Sequence, residues 1–285
     1  SQYQEAHNNH IQLLNALAES SRLMLENKRP SSIVSKVLAL IGKAALADRA
    51  YLYKNIYENG KLNILHCVHE WYSSDANIEL HVPKVLSWDT LGGVKDTLPY
   101  GLKFVELTKN ITYELHRKSL ELQGTKSIIL MPIFTDFIFW GFIGIEDCTN
   151  ERIWDETALI TISSVAASIG IFLQRNELEK ELLVKQEEIS AQNQFFNNIF
   201  NQLPADLVIF SPDQKYLFVN KQGVPNDETR KWIIGKTDYE YCLYRKKPLS
   251  IADSRRAIFE KVKKSLEVHS FEEEYDLPNG QKKYH

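Results

Sequence analysis

The chain has 285 residues, 44 % apolar and 25 % charged, with a formal net charge of -3. These are ordinary values for globular protein, and the length allows two domains with a core each. The near-balanced charge excludes a nucleic-acid binder that relies on a global positive field. Cys67, Cys148 and Cys242 lie far apart with no C-x-x-C, which excludes a disulfide framework and a zinc ribbon and fits a reducing, cytoplasmic compartment. The opening Ser1-Gln2-Tyr3-Gln4-Glu5 has no signal-peptide character.

Residues 6–26 have helical periodicity, with Ile11, Leu14, Ala18 and Leu25 on one stripe. Lys28-Arg29-Pro30 breaks it, and Ser31 is the expected N-cap of a second helix to about Ala47, with Ile33, Val37, Leu40 and Ile41 facing inward. Next, Arg49–Glu58 and Lys61–Tyr72 flank Asn59-Gly60, the strongest two-residue hairpin signal. An unbroken register sets Glu58 opposite Lys61 and Tyr53 opposite His66. Residues 73–110 read as an elaborated connection with one short strand near 103–107. A short helix over 114–123 closes at Gly124.

Residues 128–145, IILMPIFTDFIFWGFIGI, are long enough to span a membrane. Asp136 at the centre would cost about 3 kcal/mol in a bilayer. Two apolar arms around Thr135-Asp136 instead predict a hairpin of buried strands, and no membrane span is expected. Asp155 caps a long helix from about Glu156 that ends before Pro204. Along it Leu159, Ile162, Ala166, Ile169 and Leu173 form one set. Leu178, Leu182, Lys185, Ile189, Gln192, Phe196, Ile199 and Leu203 form another, and the two do not share a heptad register. The break between Leu173 and Leu178 is therefore expected to be a discontinuity. Leu178, Leu182, Ile189, Phe196 and Ile199 are the expected seam of a parallel homodimer, weakened by polar Lys185 and Gln192. Beyond it, short strands are predicted at 207–211 and 216–220, a helix at 251–265, a strand at 269–277, a turn at Pro278-Asn279-Gly280 and the start of a strand at 281–285.

Gly124-x-x-Ser127-Ile128-Ile129-x-Met131-Pro132-Ile133 followed by Phe139-Trp140-Gly141-Phe142-Ile143-Gly144-Ile145-Glu146-Asp147, with Trp154 and the exit helix, resembles a GAF domain. Leu207-Val208-Ile209-Phe210-Ser211-Pro212-Asp213, Tyr216-Leu217-Phe218-Val219-Asn220 and Ile234-Gly235-Lys236-Thr237-Asp238 resemble a PAS domain of bacterial sensor histidine kinases, cut short before its last strands. The resemblances imply an α+β chain. They give a GAF-like sensor at 1–175 with an antiparallel sheet and flanking helices, a connecting signalling helix or coiled coil at 176–203, and an incomplete PAS-like domain at 204–285. They also imply a signal-sensing region whose partner is a downstream kinase-type output module. A ligand-free dimerisation scaffold and the input region of a cyclic-dinucleotide cyclase are the alternatives.

The residues themselves give no catalytic constellation. Leu91-Gly92-Gly93 lacks the Lys-Ser/Thr of a phosphate loop, and no G-x-S-x-G elbow or kinase signature occurs. His66 and His69, three apart on a strand, point to opposite faces unless a bulge intervenes, so no metal site is expected. His7 and His10 are expected in solvent, and His81, His116, His269 and His285 have no partner legible in sequence. Cys67 and Cys148 do not resemble bilin-attachment sites, nor Cys242 a flavin-photosensor motif. No His lies between Asp206 and Val268 to hold haem, so no cofactor is predicted. Lys and Arg at 245–247 and 261–264 are interspersed with acids and read as solvated faces. Tyr51, Tyr53, Trp71, Trp88, Tyr100, Phe104 and Trp140, with Phe139, either fill the core or line the small-molecule cavity that the GAF resemblance implies.

Overall fold

The computed structural model describes residues 2–26, 30–74, 81–276 and 282–284. The chain forms two compact units, Ser1–Leu183 and Val184–His285. In the first, helices α1 (Gln2–Glu26) and α2 (Pro30–Ala44) precede strands β1 (Arg49–Glu58) and β2 (Lys61–Tyr72). A short edge strand β3 (Val85–Ser87), absent from the sequence reading, leads into three 3-10 turns between Trp88 and Tyr100. Strand β4 (Phe104–Leu107), helix α3 (Glu114–Leu122) and the hairpin β5 (Ser127–Thr135) and β6 (Ile138–Asp147) follow. Helix α4 runs from Glu156 to Gln202, crossing from the first unit into the second.

The six strands form one antiparallel sheet in the order β3-β2-β1-β6-β5-β4. The apolar run 128–145 is the hairpin at the sheet's centre, turning at Asp136-Phe137. Alternation along the strands divides two cores. Leu52, Ile129, Met131, Ile143 and Ile145 pack against α1, α2 and α4, while Tyr51, Tyr53, Leu65, Ile128, Leu130 and Phe142 face the connection 81–111 and α3.

The turn Asn59-Gly60 has positive φ at both residues, as a two-residue hairpin requires, and Glu58 opposes Lys61 as expected. The register then slips twice. Asn63 and Val68 are extra residues on β2, so Tyr53 opposes Cys67, not His66, and Leu52 opposes His69. The second bulge reverses the face of everything beyond it. It also puts His66, opposite Lys54, and His69, opposite Leu52, on one side of the sheet, correcting the expectation of opposite faces. His66 is exposed and His69 Nδ1 lies 3.0 Å from Ser35 Oγ. Among the described residues no three His, Cys, Asp or Glu side chains gather as a metal site.

Other expectations are corrected. Helix α2 begins at Pro30, so Ser31 lies inside it rather than capping it; Pro is suited to a first helical turn because its missing N–H would have no partner there. On α1 the buried stripe is Leu13, Ala16, Ser20 and Met24, whereas Ile11, Leu14, Ala18 and Leu25 are exposed. Asp155 Oδ1 does accept from Ala158 N and start α4. Helix α4 passes without interruption through 173–178. Leu159, Ile162, Ala166 and Ile169 are buried in the core, so the apparent register break separates two faces of one helix. Helix α4 is long and apolar enough by composition to cross a membrane, with a window of mean hydropathy 1.7, and half of that window is buried inside the protein.

The second unit holds the hairpin β7 (Val208–Phe210) and β8 (Tyr216–Val219), helices α5 (Asp227–Ile233), α6 (Asp238–Tyr244) and α7 (Leu249–Ser265), and the pair β9 (Glu274–Asp276) and β10 (Lys282–Tyr284). Strand β9 is shorter than the expected 269–277, and the predicted turn at 278–280 lies outside the described residues. Tyr216, Val219, Val224 and Ile233 form its core. Asn226 caps α5, and Thr237 with Glu240 forms a reciprocal capping box on α6. Buried Asn220 donates to the carbonyls of Phe200 and Ala205 and accepts from Leu207 N and Gly223 N. All four hydrogen-bonding positions of its amide are used, and they pin the last turn of α4 to β8.

Candidate functional site

A cavity of about 30 Å³ lies on the aromatic face of the sheet, room for one or two waters. Its floor is Tyr51 and Tyr53 of β1 with Ile128, Leu130, Phe142 and Glu146 of the central hairpin. One wall is the connection at Val82, Pro83, Leu86 and Leu91. The other is α3, through His116, Ser119, Leu120 and, just past its end, Gln123. That 0, 3, 4, 7 spacing presents one helix face.

Under the floor lies a buried ion pair. Arg49 and Glu146 are opposite one another on β1 and β6, and Arg49 Nε donates to Glu146 Oε2. Arg49 Nη2 also donates to Thr125 Oγ1 at 2.5 Å and to the Gln123 carbonyl at 3.1 Å. Thr125 Oγ1 donates to Glu146 Oε2 at 2.8 Å, and Tyr51 OH donates to Glu146 Oε1 at 2.6 Å. Gly144 permits that last bond, because a Cβ there would lie 2.1 Å from the Tyr51 ring. Burial opposes the Arg49 charge most strongly, but the neighbouring groups together, Glu146 first among them, outweigh it and the guanidinium pKa rises. Burial, then Glu146, pushes the Tyr51 phenol well above its ordinary value. Burial lowers His116 to about 4, so its imidazole is neutral, and its Nδ1 has no hydrogen-bond partner among the described residues.

The aromatic candidates divide sharply. Tyr51 and Tyr53 line the cavity. Phe104 stacks obliquely on His116, and Trp88 is buried in the same cluster with Nε1 donating to Asn55 Oδ1 at 3.0 Å. Phe139 packs on Trp88. Trp71 and Trp140 are on the opposite face of the sheet. The bulge at Val68 turns Trp71 toward α2, and Trp140 is itself the extra residue of a bulge in β6, lying beneath Lys54. Tyr100 is 76 % exposed and lines nothing. Sequence reasoning missed Arg49, Glu146, His116 and Gln123. The signals were Arg49 at the start of β1, Glu146 near the end of the otherwise apolar β6, and the α3 spacing.

A second candidate surface runs along α4. Ile160, Leu178 and Phe196 are each spaced 18 residues apart, about five helical turns, and therefore lie one above another. Ile171, Leu182 and Ile189 share that stripe and Ile199 borders it; Leu182 is 66 % exposed and the rest are likewise open. The stripe is opposite the core-facing Ile162, Val165 and Ile169.

No protein-family model matches the chain. The methanogenesis regulatory histidine kinase FilI of Methanothrix harundinacea (strain 6Ac) is 30 % identical over 190 residues, which are 62 % of this chain and 20 % of that protein. The matched segment thus spans a fifth of the curated relative's length. Among solved structures, the phycoerythrobilin-bound GAF domain of a cyanobacterial phytochrome aligns with TM-score 0.53 at 14 % identity, covering 59 % of this chain and 97 % of that one. A phycocyanobilin-bound GAF domain of a cyanobacterial phytochrome aligns at 0.51 and 15 %, covering 59 % and 96 %. The chain contains a GAF fold. At that identity the likeness to phytochromes is one of fold alone, and it includes the antiparallel sheet and flanking helices predicted from the sequence.

Proposed function

We propose that the chain is the cytoplasmic signal-sensing region of a multidomain protein, a sensor histidine kinase, and has no catalytic activity of its own. The observation that carries this reading is the 190-residue match to a histidine kinase in a chain with a GAF fold. The cavity lined by Tyr51 and His116 is the sensing site. Residues 1–175 sense, 176–203 connect, and 204–285 act as a PAS-like relay to the output module. A ligand-free scaffold, or input to a cyclic-dinucleotide cyclase, remains the alternative.

The occupant proposed for the α4 stripe is a second copy, in parallel. From Leu178 to Leu203 the seam alternates steps of four and three, the coiled-coil period. In a parallel pair, Glu181 and Glu188 flank the seam opposite Gln186 and Asn193 of the other copy, whereas an antiparallel pair brings acids together. Leu182→Glu with Ile189→Glu should convert a sedimenting dimer into a folded monomer, because the seam would then bury unpaired charge. In the parent protein the same pair of changes should uncouple autophosphorylation from its stimulus. A monomeric parent chain, or a kinase output untouched by the two changes, would overturn the relay. Incubating the chain with labelled ATP or GTP should yield neither phosphoprotein nor cyclic product.

A further inference from the structure

The cavity's carboxylate and its two phenols are paired so that no net charge remains to meet a ligand. Both Glu146 oxygens are engaged, by Tyr51 on one side and by Arg49 and Thr125 on the other. Tyr53 OH donates to the Pro83 carbonyl, and Gln123 Nε2 donates to the Ser119 carbonyl and hydroxyl. Among the fully buried lining atoms of the described residues, the one left unanswered is Nδ1 of His116, a residue 2 % exposed. A buried polar atom without a partner carries a penalty that a bound group can remove. An ionic ligand would meet no counter-charge here and would lose its hydration on entry. The remaining walls are mainly apolar, Leu91, Leu120, Leu130 and Phe142 among them, with the Thr90 side chain as a polar member.

We infer that this cavity selects small uncharged molecules with an apolar body and one hydrogen-bonding head, held by His116, and rejects carboxylates, phosphates and ammonium compounds. The inference rests on the reading of the cavity as the sensing site and specifies its ligand class. It places the polar head beside His116 and Tyr51 and the apolar body toward Leu120 and Leu130. The resting void is small, so larger members of the class enter only by displacing part of its wall.

Acetamide, acetate and acetamidinium share one planar shape and differ in charge, which makes them the probes. Each is titrated into the isotopically labelled full chain while the ring signals of His116 and Tyr51 are followed by NMR. Acetamide should produce saturable shifts at both rings, with a dissociation constant at least about tenfold below those of the two ions. His116→Leu should abolish the acetamide shift at Tyr51, and His116→Gln, which restores a neutral hydrogen-bonding group, should retain it. If His116→Leu does not fold, the His116→Gln comparison and the charge series decide alone. Equal or tighter binding of either ion, or no saturable shift with acetamide, overturns the ligand class. Those outcomes leave the relay reading intact, since it falls only with the dimer and autophosphorylation tests on the seam.

Discussion

The two faces of the central sheet solve opposite problems. The helix-covered face is mainly apolar: Leu38, Ile143, Ile162 and their neighbours interdigitate, with His69 at the margin bonded to Ser35. The other face is covered mainly by irregular chain and one short helix, and it encloses an ion pair, two phenols and an imidazole. Aliphatic packing gives a layer that only fills space. A layer that keeps polar groups inside must answer each of them, and a group left unanswered marks where an outside molecule can contribute.

The largest expected effect comes from unbalancing the ion pair. Arg49→Leu leaves Glu146 buried without its counter-charge and should cost about 3–5 kcal/mol in chemical denaturation, whereas adding Glu146→Leu should recover much of that loss. If the double change is as damaging as the single, the pair is not the source of the difference between the faces. On the aliphatic side, Leu38→Ala should cost about 2–5 kcal/mol through lost burial and a cavity. That loss should be independent of pH, which sharpens the contrast with the next test.

His116 is neutral when folded, with its pKa lowered to about 4 by burial, and sits across the cavity from the Arg49–Glu146 pair. The unfolded chain takes up that proton near pH 6.5, so stability is complete above that value and declines as pH falls toward 4. At about 1.4 kcal/mol per pH unit the loss approaches about 3 kcal/mol. His116→Gln should flatten this part of the pH profile measured by urea titration, while Leu38→Ala should keep the parent slope. The smallest effect is expected at Tyr100, where replacement by Ser should change stability by no more than about 0.5 kcal/mol.

Periodicity and turn chemistry located the main helices and both hairpins of the first unit, but not β3 or the buried face of α1. Asn59-Gly60 announced one hairpin, Asp136 at the centre of an apolar run announced the other, and Asp155 marked the start of α4. The site was less legible because its facing depends on bulges. Nothing in the residue types around Val68 signals that an extra residue will be accommodated there, yet that residue sends Trp71 to the far side. The ion pair joins positions 97 apart in sequence, a pairing that only strand order creates. On α1 and α4 the apolar residues occupy two faces, and spacing alone does not distinguish the face turned inward from the one left open. In the second unit the hairpin and the helix read from the sequence at 207–220 and 251–265 form near those positions.

Helix α4 has neither glycine nor proline from Ile171 to Leu203. Sharp bends in helices almost always need such a residue or a disrupted hydrogen bond. The helix accordingly carries no residue of the kind that breaks it along this stretch. Two glycines placed near Val184 would each cost about 1 kcal/mol of local helix stability. The helical signal of circular dichroism should fall by about a turn or two while each unit keeps its own core.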